Sequence, residues 1–287
     1  MNRALVLSGG EAKGAFQVGA IDYLMTKKDY RWNSGLFGVS VGALNVGILG
    51  YEPFYSLEGL DKLVNIWKNI KESDIYKKYN FLQLAWRIIS GKTSFYDNTP
   101  LYRLIKENIP SISDAWVGYV DLKTGEYVLA KATPENMFKS ATMPIFWSPV
   151  EGRYVDGGLR NITPLGDAID IGADEIVVIT CSPLGISPGP EINNLLAVAK
   201  RSLDIAMNEI AVNDIKFTLT INDLVRQAHN HNDLILHKED GTAYRHVKIT
   251  LIEPEHSLET DKDLDFRRET ILDRMNVGYL TAKKVVP

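Results

Sequence analysis

The segment ALVLSGG at residues 4–10 decides the fold, because a short apolar run ends there at a serine and two glycines. A run of this length that stops at glycine predicts a buried strand. Helical spacing follows over residues 16–24, where every fourth residue is apolar. The segment LFGV at 36–39 predicts a second strand, and residues 41–49 predict a second helix. This alternation predicts an α/β fold with helices on both faces of a mainly parallel sheet.

Beyond residue 50 the sequence predicts one domain with a helical insertion. Residues 55–109 have helical spacing and form the predicted insertion, and residues 192–287 are predicted to be a mainly helical C-terminal region. Further strands are predicted at 116–122, 127–132, 175–181 and 246–253, with a helix at 163–172. The sequence has no repeat and no low-complexity linker, so residues 1–287 are expected to fold as a single domain.

The composition narrows the class of protein. Apolar residues make up 45% and charged residues 24% of the chain, which excludes a disordered protein. The 32 basic and 36 acidic residues give a net charge of -4, whereas a nucleic-acid-binding protein is usually strongly basic, so no nucleic-acid partner is expected. The single cysteine, Cys181, excludes an intrachain disulfide framework and is expected to be a small buried residue.

No segment of the sequence predicts a membrane span or a secretory signal. The most apolar stretch, residues 36–51, contains Ser40, Asn45 and four glycines, whereas a span needs about 20 mostly apolar residues. Near the N-terminus, the apolar run stops at residue 7 and charged residues follow at 11 and 13. We therefore expect a cytoplasmic protein that makes at most peripheral contact with a membrane.

The junction between the second strand and the second helix carries a candidate nucleophile. Residues 38–42 have the sequence GVSVG, a pattern in which Ser40 lies on a sharp turn that lifts its hydroxyl above the sheet edge. Gly38 and Gly42 allow the backbones to pass close by, and the helix that begins at Val41 directs its dipole at any negative charge that forms there. The alternative is an ordinary turn with a serine as the helix N-cap.

The loop SGGEAKG at residues 8–14 leads from the first strand into the first helix, where backbone N–H groups can bind an anion. It lacks the Lys-Ser/Thr pair of a phosphate-binding loop, because Ala15 and Phe16 stand there. An oxyanion hole fits better, since neighbouring parallel strands would open this loop and Ser40 at the same sheet edge. A glycine turn needed only for packing is the alternative.

The sequence Asp156-Gly157-Gly158 supplies a candidate base for the serine, whose hydroxyl is nearly inert unless a group accepts its proton. A carboxylate usually acts through a histidine in this role. Partial burial can instead raise the pKa of an aspartate until it accepts the proton directly. The alternative is a turn capped by the aspartate.

In combination these segments resemble the patatin-like phospholipases. Residues 8–19, 38–42, 141–150 and 154–164 occur in that family's order and roughly at its spacing, and the resemblance covers about residues 1–182. It implies a three-layer α/β/α sandwich and a serine-dependent lipid acyl hydrolase (a phospholipase A, lysophospholipase or esterase) whose substrate is a lipid or phospholipid ester. It also implies a reaction without a metal or another cofactor.

The same resemblance assigns roles to the candidate residues. It implies a catalytic dyad of Ser40 as nucleophile and Asp156 as base, and an oxyanion hole formed by the loop at Gly9, Gly10 and Glu11. Six residues would support these motifs: Lys13, Gly14, Gly38, Gly42, Gly157 and Gly158.

Glu11 departs from the family's pattern, because a glycine is common at that position. Its side chain would require an unusual φ or place a carboxylate near the oxyanion, in which case Lys13 could offset the charge. Two alternatives to a hydrolase therefore stay open. One is an acyltransferase that uses the same acyl-enzyme, and the other is a lipid-binding protein with weak catalysis.

The histidines and one apolar segment complete the list of candidates. The five histidines lie at 229, 231, 237, 246 and 256. One alternative is that a histidine, instead of Asp156, is the base for Ser40. Another is a metal site formed by His229, His231 and Asp233. Residues 81–89 are apolar nearly all round and are flanked by basic side chains, which fits an acyl-pocket wall or contact with an anionic lipid surface. An ordinary buried helix is the simpler interpretation of this segment.

Overall fold

The computed structural model describes residues 2–51, 56–90, 94–185, 192, 194–230, 234–260 and 264–287. The strands are β1 (Arg3–Leu7), β2 (Leu36–Val39), β3 (Lys77–Lys78), β4 (Tyr96–Asp97), β5 (Ser113–Asp121), β6 (Tyr127–Ala132), β7 (Tyr154–Asp156), β8 (Glu175–Ile179) and β9 (Lys248–Ile252). The helices are α1 (Gly14–Lys27), α2 (Val41–Leu49), α3 (Leu57–Asn69), α4 (Glu72–Ile75), α5 (Phe81–Ile89), α6 (Thr99–Asn108), α7 (Pro134–Ser140), α8 (Leu165–Asp170), α9 (Leu195–Asn230) and α10 (Arg268–Val285).

The main sheet has the order β6-β5-β2-β1-β8-β9 and is parallel from β5 to β9. Strand β6 runs antiparallel at one edge, and β7 pairs antiparallel with β5. The predicted α/β sandwich with a mainly parallel sheet is thereby confirmed. Its strands form where the sequence has short apolar runs, because both faces of a parallel sheet are buried.

The alternation of side chains along β1 divides the core into two layers. Leu5 and Leu7 belong to the core that packs against α1, α2 and α10. Ala4 and Val6 belong to the opposite core, together with residues of α8 and α9 such as Ile215. The helices therefore cover both faces of the sheet, as the α/β pattern requires.

Helices α1 and α10 approach each other unusually closely through two glycines. A Cβ on Gly19 would lie 1.8 Å from the carbonyl oxygen of Met275, and a Cβ on Gly278 would lie 1.9 Å from that of Phe16. Only glycine fits at these two positions, so the crossing brings backbone against backbone. This contact fixes α1, whose first residue follows the loop at residues 8–13.

The insertion at 55–109 is helical only in part, which corrects the all-helical prediction. Strands β3 and β4 pair antiparallel, with Lys77 opposite Asp97 and Lys78 opposite Tyr96, and α5 lies between them in the chain. Two-residue strands are too short to show the alternation by which a strand is recognised. That residues 1–287 form a single domain stays a prediction.

Candidate active site

Ser40 lies on a strained turn between β2 and α2. Its backbone has φ 57° and ψ -126°, a conformation that side chains rarely adopt and that costs about 1–3 kcal/mol. The Ser40 amide donates a hydrogen bond to Oγ of the buried Ser140 at 3.0 Å. A Cβ on Gly38 would lie 2.4 Å from the carbonyl carbon of Gly42, and a Cβ on Gly42 would lie 2.4 Å from the oxygen of Leu7. The turn therefore needs both glycines.

Sheet pairing explains how Asp156 reaches Ser40 across 116 positions of sequence. On one side of β5, Gly118 pairs with Val39, the last residue of β2. The next residue of β5, Tyr119, pairs with Asp156 of β7. Strand β7 thus continues along β5 from the point where β2 ends, so Asp156 lies beside the turn that carries Ser40. Gly157 fits into the remaining space, since a Cβ there would lie 2.4 Å from the oxygen of Gly118.

The Asp156 carboxylate is buried and accepts a hydrogen bond from the Gly158 amide, which lies 2.8 Å from Oδ1. The side chain of Ser40 neighbours this carboxylate and favours its charged form. Burial raises the pKa of Asp156 to about 7, although Ser40 and the Gly158 amide oppose this rise, and the charge of Glu11 adds to it. An aspartate with a pKa near neutrality is able to accept a proton and to return it under ordinary conditions.

The glycine loop lies directly over Ser40. A Cβ on Gly9 would lie 3.0 Å from Cβ of Ser40, and the Gly9 amide donates to the carbonyl oxygen of Ile162 at 3.1 Å. That amide is therefore engaged with the backbone of another segment, and an oxyanion hole at Gly9, Gly10 and Glu11 stays a prediction. The amides of Gly10 and Glu11 have no acceptor among the hydrogen bonds of the described residues.

Gly10 packs against the single cysteine. Gly10 has φ 153°, and a Cβ there would lie 2.1 Å from Cβ of Cys181. Cys181 is fully buried, which confirms the sequence-based prediction, and burial raises the pKa of its thiol to about 12. The thiol is thus a packing group under the loop, because almost none of it ionises at neutral pH.

A buried network of amide side chains holds the loop from below. Gln17 donates from Nε2 to the carbonyl oxygen of Ser8 at 2.8 Å. Asn45 donates from Nδ2 to Oε1 of Gln17 at 2.9 Å and to the oxygen of Gly14 at 3.1 Å. Trp67 of the insertion donates from Nε1 to Oδ1 of Asn45 at 2.8 Å. Since an unpaired buried amide is costly, this network fixes the loop's position.

Glu11 adopts φ 56°, so the glycine-like conformation of the loop is kept despite its side chain. Its carboxylate forms an ion pair with Lys200 of α9 at 3.4 Å, whereas Lys13 lies 3.6 Å from Glu259. Lys200 therefore takes the offsetting role that the sequence suggested for Lys13. Burial, together with the charge of Glu11, raises the pKa of the neighbouring Asp204 to about 6.

A cavity of about 150 Å³ opens over the two candidate catalytic residues. Its wall combines Ser40, Asp156 and the loop at 8–11 with apolar groups such as Met143, Ile162 and Met207. Helix α9 supplies one side through residues 201–211. Sequence reasoning missed this contribution, and also the roles of Ser140, Gln17 and Lys200, because helical periodicity does not reveal where a helix packs.

The residues that the sequence offered as alternatives are not found at this cavity within the described part of the chain. None of the histidines in the described part of the chain lines this cavity. His231 and Asp233 of the candidate metal site lie outside the described residues, and no group of three or more acidic, histidine or cysteine side chains suited to a metal occurs within them. None of the described helices has both the length and the apolar composition needed to cross a bilayer.

Comparison with known proteins adds sequence evidence for the first part of the chain. Residues 5–115 match the sequence model of the family described as patatin-like phospholipase, which confirms the resemblance over those residues. No curated protein matches the chain. Among solved structures, VipD from Legionella pneumophila is 14% identical, with a TM-score of 0.43 over 99% of this chain and 66% of that one. The chain thus spans slightly less than two thirds of VipD's length.

Proposed function

From the match of residues 5–115 to the patatin-like phospholipases, we propose that this protein is a serine-dependent lipid acyl hydrolase. Its substrate is a fatty acyl ester, as in a phospholipase A, a lysophospholipase or an esterase. The single observation that carries the proposal is the placement of Ser40 beside Asp156 in one cavity, where the buried carboxylate has a pKa of about 7.

In the first step, the Ser40 oxygen attacks the ester carbonyl while Asp156 accepts the hydroxyl proton. A pKa near 7 suits Asp156 to this task without a histidine, because a base works best when its pKa lies near the operating pH. The strained turn holds the Ser40 oxygen in place before the substrate binds. The alcohol or lysolipid leaves with the proton from Asp156, and the acyl group stays on Ser40.

The negative charge that develops on the carbonyl oxygen needs hydrogen-bond donors. The amides of Gly10 and Glu11 fill this role, since neither is engaged by another backbone group of the described residues. Gly9 contributes differently, because the absence of a side chain there lets the loop lie against Ser40. Gly14 likewise lets the start of α1 pack against Val41, because a Cβ there would lie 2.4 Å from Cγ2 of Val41.

In the second step, water releases the fatty acid. Asp156 takes a proton from the water as it attacks the acyl-serine and returns that proton to Ser40, which regenerates the enzyme. The apolar groups on the cavity wall, among them Met143, Ile162 and Met207, provide a surface for the first part of the acyl chain.

Labelling with a fluorophosphonate followed by mass spectrometry tests this proposal, because the reagent traps an activated serine. We expect one label per chain, on Ser40. Ser40→Ala should abolish labelling and ester hydrolysis, and Asp156→Asn should slow both by at least about a hundredfold. Ser182→Ala and Ser257→Ala are matched controls, since both serines line the same cavity and neither is assigned a role in the reaction. Full activity in folded Ser40→Ala would exclude the proposed nucleophile.

A lipid-binding protein with weak catalysis is the second candidate, and the carboxylate of Glu11 on the cavity wall favours it. A negative charge there opposes a second negative charge on the oxyanion. Retention of a fatty acid by the unmodified protein, without labelling of Ser40 and without release of product from an ester, would favour this candidate over the hydrolase.

A further inference from the structure

Helix α5 presents an apolar face to solvent. Phe81, Leu82, Trp86 and Ile89 are each between 63% and 86% exposed, and we call these four residues the α5 face. They lie within about 140° of one another on a helix that turns about 100° per residue. Their exposure contradicts the interpretation of this segment as an ordinary buried helix. Clustered side chains of this size are rarely left in water unless they bind something.

The polar contacts of α5 hold the helix without using this face. Asn80 and Gln83 form a reciprocal cap, with each backbone amide bonded to the other's side-chain oxygen at 3.0 and 2.9 Å. On the other side, Arg87 donates to Oγ of Ser94 at 2.6 Å and lies over the ring of Tyr79. The helix is thus tethered through its polar residues, and the α5 face stays available.

The charge around α5 fits an anionic surface. Residues 77–92 contain four basic side chains and no acidic one, although the whole chain carries a net charge of -4. One of the four, Lys78, is paired with Glu72 at 2.8 Å. Lys77, three residues before the cap, is exposed. An apolar face with a tryptophan, bordered by lysine and arginine, is the pattern of a helix that lies in the interface of a bilayer. A nine-residue helix is about 14 Å long, which is too short to span a bilayer core of about 30 Å.

A series of hydrogen bonds joins α5 to the wall of the active-site cavity. Ser94, which accepts from Arg87, also accepts from Oγ of Ser148 at 2.9 Å. The next two amides of the chain, at 95 and 96, both donate to the carbonyl oxygen of Phe146. Phe146 and Ser148 belong to the segment 142–148, in which Met143 lines the cavity and the oxygen of residue 142 accepts from the amide of residue 156.

We propose that the α5 face is an interfacial docking surface for a lipid bilayer that contains anionic lipid. It inserts its four apolar side chains among the head groups while the neighbouring basic residues contact lipid phosphates. Docking there brings the segment 142–148, and with it the cavity, to the surface where acyl lipids are found. The inference rests on the proposed function for its purpose, but the binding itself is measurable without any catalysis.

Co-sedimentation with vesicles tests the docking surface on the full chain. Vesicles of phosphatidylcholine with phosphatidylglycerol should bind the wild-type protein, and vesicles of phosphatidylcholine alone should bind it more weakly. Trp86→Asp and, separately, Ile89→Ser should weaken binding to the mixed vesicles, the former by about tenfold or more. Ile112→Asp is the matched control: Ile112 is 60% exposed and precedes β5 at the opposite, amino-terminal edge of the sheet, so binding should be unchanged.

Two further measurements separate the possible outcomes. Hydrolysis of a water-soluble p-nitrophenyl ester should be the same in wild type and Trp86→Asp, so loss of vesicle binding with retained hydrolysis supports the docking surface. Absence of hydrolysis in both proteins contradicts the proposed function but leaves the vesicle result interpretable. Equal vesicle binding by wild type and by both folded variants would overturn the inference. So would a wild-type dimer that Trp86→Asp converts to a monomer in sedimentation velocity, because the face would then be a subunit interface.

Discussion

Replacing Asp156 by asparagine should change how the stability of the protein depends on pH. Burial raises the pKa of Asp156 from its ordinary value of 3.8 to about 7 in the folded protein. Between these two values the folded state holds a proton that the unfolded state has lost. The stabilisation from this proton is therefore complete below pH 3.8 and is lost as the pH rises through 7. An asparagine side chain has no such proton, so the variant should lack this contribution to the pH dependence.

The size of the effect follows from the same two pKa values. Between pH 5 and pH 8, the carboxyl of Asp156 alone should remove about 2 to 3 kcal/mol from the free energy of unfolding of the wild type. Burial also raises the pKa values of Asp204 and Asp214, so the pH dependence of the wild type alone reports several groups. The difference between wild type and Asp156→Asn cancels the contributions of those two aspartates.

Urea unfolding at pH 5 and at pH 8, followed by circular dichroism, gives this difference directly. Asp156→Asn should gain about 2 to 3 kcal/mol relative to wild type on going from the lower to the higher pH. The reasoning would be refuted if the difference between the two proteins stayed constant within about 0.5 kcal/mol, because Asp156 would then have an ordinary pKa and could not serve as a base near neutrality.

Three other perturbations test the site and its scaffold. Hydrolysis of a soluble ester should rise about tenfold between pH 6 and pH 8 as Asp156 loses its proton. Glu11→Gln should move the midpoint of this pH–rate curve to lower pH, because the charge of Glu11 raises the pKa of Asp156. An unmoved midpoint would count against an interaction between the two carboxylates. Gly42→Ala should lower the free energy of unfolding, measured by urea unfolding, by about 2 kcal/mol or more. Gly166→Ala is the control and should not destabilise the protein, because nothing lies within 4 Å of the added Cβ. Equal effects of the two substitutions would show that the turn at Ser40 can adjust to a side chain at position 42. Ser40→Gly should be about 1 kcal/mol more stable than Ser40→Ala, since glycine removes the strain at φ 57°, and equal stabilities by thermal unfolding would argue against that strain.

The local part of the site was predictable from the sequence because its signals are short-range. The sequence GVSVG combines a strand end, a sharp turn and a helix start within five residues, and the structure has them there. The proximity of Asp156 to Ser40 could not be predicted from short-range signals. It came from the resemblance to a family, since no spacing rule states that β7 continues along β5 where β2 ends.

The contributions that escaped prediction depend on tertiary packing. Lys200 and the cavity wall at 201–211 belong to α9, whose sequence shows helical spacing but not the side of the sheet against which the helix packs. Gln17 and Ser140 are buried polar residues, and a sequence shows neither their burial nor their hydrogen-bond partners. For α5 the sequence left both a buried helix and contact with a lipid surface open, because apolar periodicity alone does not distinguish a helix in the core from one on the surface.

The packing of Cys181 under the glycine loop has a practical consequence for spectroscopy. The chain has one cysteine, and its buried, un-ionised thiol should react very slowly with maleimide or methanethiosulfonate reagents. A cysteine introduced on the protein surface would therefore carry a fluorophore or spin label selectively, without prior removal of the native thiol. Dye-labelled or spin-labelled protein could then report the depth and orientation of a chosen position beside a bilayer while the packing beneath the glycine loop stays intact.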